Sequence, residues 1–356
     1  MRKIDKTKPV LVTGATGYVA GWLVKKLVEE GCRVHAAVRD PENKEKLKFL
    51  DDLAAKSKGS ITYFKSDLLH KGSYAEAMKG CELVFHTASP FTMDVKDAQK
   101  ELVDPAKLGT RNVLEEANRC ESVKRVVLTS SCAAIYGDNI DLQQTPNGIF
   151  TEEIWNSSSS LEHLAYSYSK TLAEKEAWEI NKKQNNWDLV VINPSLVIGP
   201  AVNPMGVSSE SFKLIKQFGN GILRTGVPKM GWGIVDVRDL AFAHFQAGFV
   251  SAAQGRHIIN GHNTWYIELA KALQPKYGST YPIPKKEMPK WMIWLMGPII
   301  NKAITRKFIA RNIGYPWVGD NSKSIRELGV NYRPLSESIN DMFQQLIDNK
   351  IIQAKS

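Results

Sequence analysis

Tyr166 and Lys170 stand four residues apart in the segment Tyr166-Ser167-Tyr168-Ser169-Lys170, within a stretch of helical patterning. That spacing puts the phenol and the ammonium on one helix face. A phenol with an unperturbed pKa of ~10 is a poor acid near neutrality. A neighbouring ammonium favours the phenolate and draws its pKa toward the working range. A lysine so placed also has the reach to hydrogen-bond a ribose. Ser130 and Ser131 close the apolar run Val123 to Thr129 and supply hydroxyls for polarising a carbonyl oxygen beside the tyrosine. Of the two, Ser130 is read as the cap of the following turn. No Gly-x-Ser-x-Gly elbow surrounds either serine, which argues against hydrolase chemistry. Tyr168 falls on another face and reads as packing.

A second group of residues suits binding. The apolar run Pro9-Val10-Leu11-Val12 feeds Thr13-Gly14-Ala15-Thr16-Gly17-Tyr18-Val19-Ala20-Gly21, and an amphipathic segment to Leu27 follows. A strand, a glycine turn and a helix start follow one another in that order. Glycines 14 and 17 admit a ligand where a β-carbon would collide, and the helix start offers N–H groups and positive dipole to a pyrophosphate. At the end of the next apolar run stands Arg39, with Lys46 further along the following helix. An acid at that place would accept ribose hydroxyls, whereas a guanidinium pairs with a 2′-phosphate. NADP(H) is therefore favoured over NAD(H), which Asp40 keeps in play.

These groups need a scaffold that brings them to one edge. Apolar runs at 9–12, 33–38, 61–64, 82–87, 123–129 and 187–193 alternate with helical segments, among them 100–119 and 161–185. That alternation predicts an α/β fold with a Rossmann-type doubly wound parallel sheet. Its strand C-termini share one crevice, which collects the glycine turn, Arg39, Asp67, Thr87-Ala88-Ser89 and Ser130-Ser131. Beyond Pro194, residues such as Pro200, Pro204, Gly206 and Gly219 break the pattern, with returns to the sheet expected near 234–260. Residues 1–195 are read as the NADP-binding domain, and 196–356 as a smaller, interleaved substrate-binding lobe. The apolar stretch 291–300, interrupted by Pro298, reads as a buried helix or a substrate wall, with interfacial membrane contact the sharper alternative.

Composition excludes several classes. The chain has 356 residues, 43% hydrophobic and 24% charged, as in ordinary globular proteins. Its net charge of +10 is spread among acids with no arginine-rich arm, so nucleic acid is not expected as a partner. Cys32, Cys81, Cys120 and Cys132 form no CxxC pair, and the histidines show no metal-ligand spacing. No metal, no membrane partner and a cytoplasmic location are the expectations, since the start of the chain lacks a signal-peptide core.

In combination, these motifs resemble the extended short-chain dehydrogenase/reductases, and within them the dihydroflavonol-reductase-like carbonyl and aldehyde reductases. The resemblance rests on Thr13-Gly14-Ala15-Thr16-Gly17, Val38-Arg39-Asp40-Pro41, Lys65-Ser66-Asp67-Leu68 and Val84-Phe85-His86-Thr87-Ala88-Ser89-Pro90. It continues through Thr129-Ser130-Ser131, Glu152-Glu153-Ile154-Trp155, Tyr166…Lys170, Asn193-Pro194-Ser195-Leu196-Val197-Ile198-Gly199-Pro200 and Asp236-Val237-Arg238-Asp239-Leu240. It implies a catalytic set of Ser131, Tyr166 and Lys170. Tyr166 would protonate the carbonyl oxygen as hydride arrives, Ser131 would orient that oxygen, and Lys170 would hold the nicotinamide ribose. It further implies cofactor contacts at Thr13, Gly14, Thr16, Gly17, Tyr18, Val19, Thr87, Ala88, Ser89, Pro194 and Val197, with Asp67 and Leu68 flanking the adenine. Ala20 departs from the usual last glycine of the turn. Tyr136 stands where plant flavonoid reductases carry a substrate-contacting asparagine, which puts dihydroflavonol itself in doubt and makes Tyr136 a substrate-contact candidate.

The leading expectation is reduction of an apolar or aromatic aldehyde or ketone by NADPH, in a monomer or homodimer. A 3β-hydroxysteroid or sterol dehydrogenase and a sugar-nucleotide epimerase are the rival enzymes. An NADP(H)-binding redox sensor is the rival from another class, and the retained tyrosine–lysine pair argues against it.

Overall fold

In the computed structural model, residues 2–89, 96–203, 209–300 and 304–354 are described, so Pro90, Pro204 and Gly206 lie outside the described residues. Six apolar runs become strands β1 (Val10–Thr13), β2 (Arg33–Val38), β3 (Ser60–Lys65), β4 (Leu83–His86), β5 (Arg125–Thr129) and β6 (Asp188–Pro194). Between them lie helices α1 (Tyr18–Glu29), α2 (Lys44–Ala55), α3 (Ala75–Met78), α4 (Asp104–Arg119) and α5 (Ala165–Asn181). Downstream come strands β7 (Leu196–Ile198), β8 (Val227–Pro228), β9 (Gly231–Asp236), β10 (Gly255–Ile259), β11 (His262–Trp265) and β12 (Glu287–Met288). The helices of that part are α6 (Glu210–Gly219), α7 (Val237–Phe249), α8 (Tyr266–Tyr277), α9 (Lys290–Ile300), α10 (Arg306–Asn312), α11 (Ser322–Leu328) and α12 (Leu335–Asp348).

The main sheet runs β10-β6-β5-β4-β1-β2-β3, with every neighbouring pair parallel. Parallel strands are covered on both faces and therefore read as continuous apolar runs, and the two-residue repeat sorts their side chains. Val10 and Val12 pack with Leu23 and Leu27 of α1 and Leu240 of α7 on one face. Leu11, Val126 and Leu128 pack with Val113 and Leu114 of α4 and Ala177 of α5 on the other. A second core forms where the small sheet β11-β9-β7 meets α6, α8 and α12 through Phe212, Phe218, Tyr266 and Phe343.

Two helices start later than their periodicity predicts, for local reasons. The 100–119 segment opens with one wide turn at Gln99–Val103, and α4 proper begins at Asp104. Pro105 has no N–H to donate, so the ladder is reset there. The 161–185 segment begins only at Ala165, because Ser160 and His163 close a turn on each other and Leu164 adopts a left-handed φ of 56°.

The 291–300 stretch is a half-exposed helix rather than a buried one. Of α9, Ile293 and Gly297 are buried, with Ile293 joining Met230, Ile309 and Ile313, while the opposite side faces solvent. No helix of the described residues is long and apolar enough to cross a membrane.

Candidate active site

The register of the sheet fixes where its strands end. Thr13 lies opposite Ala37 and His86, and Thr129 opposite Ile192, so the loops after β1, β2, β4, β5 and β6 emerge along one edge. Thr13 ties that edge together. Its buried Oγ1 accepts from the N–H groups of Thr87 (3.1 Å) and Ala88 (3.0 Å) and meets His86 Nδ1 at 2.9 Å. Burial, reinforced by the Lys170 ammonium, pushes His86 down to about 3, so its ring is neutral. The Thr13 side chain thus positions the Thr87–Ser89 loop, and its hydroxyl is engaged within the protein.

The glycine turn has the shape a pyrophosphate needs. Gly14 sits at φ +64°, and a β-carbon there would lie 3.1 Å from Ala88. Gly17 caps α1 with no side-chain hydrogen bond, and the first turn carries no acid. Its N–H groups and dipole therefore meet no competing side-chain anion. Thr16 and Val19 are half-buried at the turn, and the β-carbon of Ala20 is accommodated in the core. The Tyr18 side chain is engaged within the protein: its hydroxyl donates to the Gly199 carbonyl at 2.6 Å and its ring meets Phe212 edge-on. That side chain joins the second core to the turn, and what it brings to the turn itself is backbone.

Beyond β2, Arg39 and Lys46 are exposed, and neither forms an ion pair among the described residues. Asp40 is engaged locally, accepting from Glu42 N–H at 3.0 Å. Arg39 and Asp67 both lie within electrostatic reach of Tyr74. Asp67 is exposed and accepts from Leu69 N–H, and Leu68 lies so close to α4 that a β-carbon on Gly109 would strike it. A cationic end and an anion-receptive turn along one edge fit a phosphorylated dinucleotide.

At the centre of the edge, Tyr166 in the first turn of α5 shares a hydrogen bond with the Ser131 hydroxyl. Burial pushes the phenol up to about 12, and that hydrogen bond draws it partly back. The lowering expected from Lys170 is not what this arrangement gives. The ammonium lies 5.9 Å from the Tyr166 ring centroid and donates to Ser89 Oγ at 3.0 Å. Burial lowers Lys170 itself to about 8, opposed by the charge of Glu174. The cap expected of Ser130 is made instead by Ser131, which also keeps its hydrogen bond to Tyr166. Ser131 caps the short turn Cys132–Ala134 by accepting from Ala133 N–H at 3.1 Å, while Ser130 donates to Glu174. The strand pleat points Ser130 inward and leaves Ser131 at the turn.

Glu174 was not singled out from the sequence, and it organises the floor of the site. Its buried carboxylate accepts from Ser130, from Asn193 Nδ2 (2.8 Å), from Arg256 Nε (2.6 Å) and from Trp178 Nε1 (3.3 Å). One side chain of α5 thereby fastens the ends of β5 and β6 and the start of β10. Arg256 also donates to the Glu152 and Ile154 carbonyls and stacks on Trp155 with 4.0 Å to the ring centroid. A cavity of about 20 Å³ behind Lys170 is lined by His86, Ser89, Thr110, Ser130 and Glu174. The available signal was the repeat Tyr166, Lys170, Glu174, each four residues after the last on one helix face.

Pro194 ends β6 opposite Ile259, and Val197 packs half-buried against the main core. Tyr136 stacks on Phe150 at 5.0 Å and meets Trp317 edge-on at 5.7 Å. Asp138, buried beside it in sequence, accepts from Asn312 Nδ2 and Arg311 Nε and meets His163 Nε2. This knot fastens the 138–163 loop to α10. A broader surface groove of about 510 Å³ between α2 and Tyr63 is lined by Pro41, Lys44 and Asp51, away from Tyr166. Among the described residues, no group of three or more His, Cys, Asp or Glu is arranged to hold a metal.

Residues 10–260 match the model of the NAD dependent epimerase/dehydratase family. A cinnamoyl-CoA reductase of Medicago truncatula is 37% identical over 96% of each chain. A bifunctional dihydroflavonol 4-reductase/flavanone 4-reductase of Malus domestica is 32% identical over 97% of this chain and 90% of its own. Among solved structures, the yeast methylglyoxal/isovaleraldehyde reductase Gre2 complexed with NADPH superposes with a TM-score of 0.76 at 26% identity, covering 96% of this chain and 99% of its own. The chain belongs to the NAD dependent epimerase/dehydratase family, as one of its reductases.

Proposed function

We propose that this reductase converts an aldehyde or ketone with an apolar or aromatic body to the alcohol, using NADPH, with Tyr166 as the proton donor. The observation that carries the reading is the meeting of Tyr166, Ser131 and Lys170 at the strand-end edge that also holds the uncapped glycine turn. When bound, NADPH supplies a hydride from its nicotinamide ring. The chain's own residues then have separate tasks. The Tyr166 phenol, pushed up to about 12, stays protonated at neutral pH and holds a proton for the carbonyl oxygen. The Ser131 hydroxyl, already bonded to it, orients and polarises that oxygen. Lys170, fixed by Ser89, presents an ammonium to the ribose and offsets the phenolate once the proton has left.

Gly14, Gly17 and the first turn of α1 would hold the pyrophosphate, Arg39 and Lys46 the 2′-phosphate, and Asp67 and Leu68 the adenine. Thr87 to Ser89, Pro194 and Val197 would line the nicotinamide half. Residues 1–195 with the returns near 234–260 serve as the cofactor part, and 196–356 mainly as the substrate part. Tyr136, half-buried and backed by the buried rings of Phe150 and Trp317, is the substrate-contact candidate. A cytoplasmic location accords with the four cysteines, all free and three of them buried.

The test is NADPH oxidation with a panel of aldehydes, ketones and aromatic acyl thioesters, repeated with NADH and with Tyr166→Phe. Turnover with carbonyls, lost in the variant while NADPH binding persists, is the expected result. Wild-type turnover in Tyr166→Phe would show the proton donor to be wrong.

A further inference from the structure

The outward side of α9 carries the largest apolar side chains on the described surface. Ile299 is 85% exposed, Trp291 65%, Leu295 58%, Met296 47% and Trp294 39%. Positions 291, 294, 295 and 299 follow the three- and four-residue spacing of one helix face, so they form a continuous stripe. Ile293 and Gly297 face the other way, against Ile309 and Ile304 of the neighbouring segment. A soluble surface rarely carries such a stripe without a use.

The charge around the stripe is predominantly positive. Lys285 and Lys286 stand exposed just before β12, Lys290 opens α9, and exposed Arg306 and Lys307 open α10. Arg306 lies 5.8 Å from the centroid of the Trp294 ring. Lys290 reaches inward to the Ile313 carbonyl at 2.6 Å and pins α9 to α10. The acids facing this group are Glu287, between the lysines and α9, and Glu162, which feels Lys307.

We infer that α9 docks the protein on an anionic lipid bilayer, lying in the interface with Trp291, Leu295 and Ile299 at the headgroup–acyl boundary and the flanking cations on the headgroups. Tryptophan suits that boundary, with an apolar ring and one polar N–H. The helix is too short to cross, so it lies along the surface. A second copy of the chain is disfavoured as the occupant. A two-fold contact over the stripe would bring the same cations of both copies together.

Sedimentation with phosphatidylcholine vesicles, with and without phosphatidylserine, tests this. The full chain should pellet with the phosphatidylserine vesicles and be released by salt. The double variant W291A/I299S should lose at least about tenfold in vesicle partitioning, as should K285E/K286E, with turnover of a water-soluble carbonyl and the melting temperature unchanged. Failure of the full chain to bind either vesicle, or binding that the apolar substitutions leave intact, would overturn the proposal. So would a dimer by light scattering that W291A/I299S dissolves, or a raised KM for carbonyl substrates in that variant. The first would assign the stripe to a second copy, the second to the substrate path.

Discussion

Two arginine–carboxylate pairs, each with a buried arginine, hold opposite ends of the parallel sheet, and they differ in what they touch. At the lower end, Arg125 opens β5 and donates to Asp188 of β6 at 2.7 and 3.1 Å, and to the carbonyls of Ala247, Val250 and Ser251. The arginine is sealed, but Asp188 is 36% exposed and meets water. At the upper end, Arg256 and Glu174 are both buried, and the carboxylate is shared with Ser130, Asn193 and Trp178. Its neighbours along the chain and the helix are Ser131, Pro194 and Lys170. The lower pair closes a helix end and a sheet; the upper pair does that work and also borders the groups proposed to do chemistry, with Glu174 raising the pKa of Lys170. A buried ion pair is a weak contributor to net stability, while losing one partner of it is costly. The same chemistry therefore has different consequences at the two ends.

Substitutions separate them, beginning with the largest effect. Tyr166→Phe removes the group that the upper end positions. Its kcat should fall by ~10²–10⁴ with thermal unfolding unchanged, and a destabilised variant would blur the division. Arg125→Met should do the reverse. Chemical denaturation should show a loss of about 1–3 kcal/mol as the Ala247, Val250 and Ser251 carbonyls lose their donor, with kcat per folded molecule retained.

Glu174→Gln falls between, and its signature is pH. Lys170, held to about 8 by burial against the charge of Glu174, is an ammonium below that pH and neutral above it. The wild-type kcat/KM should fall as pH rises through that value, and in Glu174→Gln the fall should move to lower pH. A stability loss of about 1–3 kcal/mol with an unmoved pH profile would make the upper pair merely structural, like the lower one. For folding the sign is opposite. The unfolded lysine holds its proton to higher pH, so the cost of burying this charge is full below about 8 and is relieved as pH climbs toward its ordinary 10.5. Arg39→Ala, remote from both pairs, should give the smallest change. NADPH binding should weaken by about 1.5 kcal/mol in a titration that leaves NADH unaffected.

Much of the upper edge was legible in the residues themselves. Runs such as Val34 to Val38 and Val123 to Thr129 mark strands because both faces of a parallel sheet are buried. The glycine turn and the Tyr166–Lys170 spacing declare themselves because their geometry is local. Other features were not legible, because they depend on partners far along the chain. The direction of the Ser130 hydroxyl follows from Glu174, and that of Glu174 from Arg256, which joins the sheet through β10. Tyr18 reads as part of the turn, yet its hydroxyl is claimed by Gly199. The exposure of α9 was hidden for the opposite reason: an apolar run predicts burial, and only the packing of Ile293 and Gly297 reveals which side is left over.

Arg125 carries a consequence for the order in which the molecule can be made. A ribosome extrudes β5 and β6 well before residues 247–251, whose carbonyls the guanidinium requires. Until they emerge, closing the sheet would strand a buried cation with a single acceptor side chain, and Glu174 would likewise await Arg256. The Arg125 carbonyl bonds and the Arg256–Glu174 pair thus join segments 82 to 126 residues apart, and neither network is complete until the chain through β10 is present.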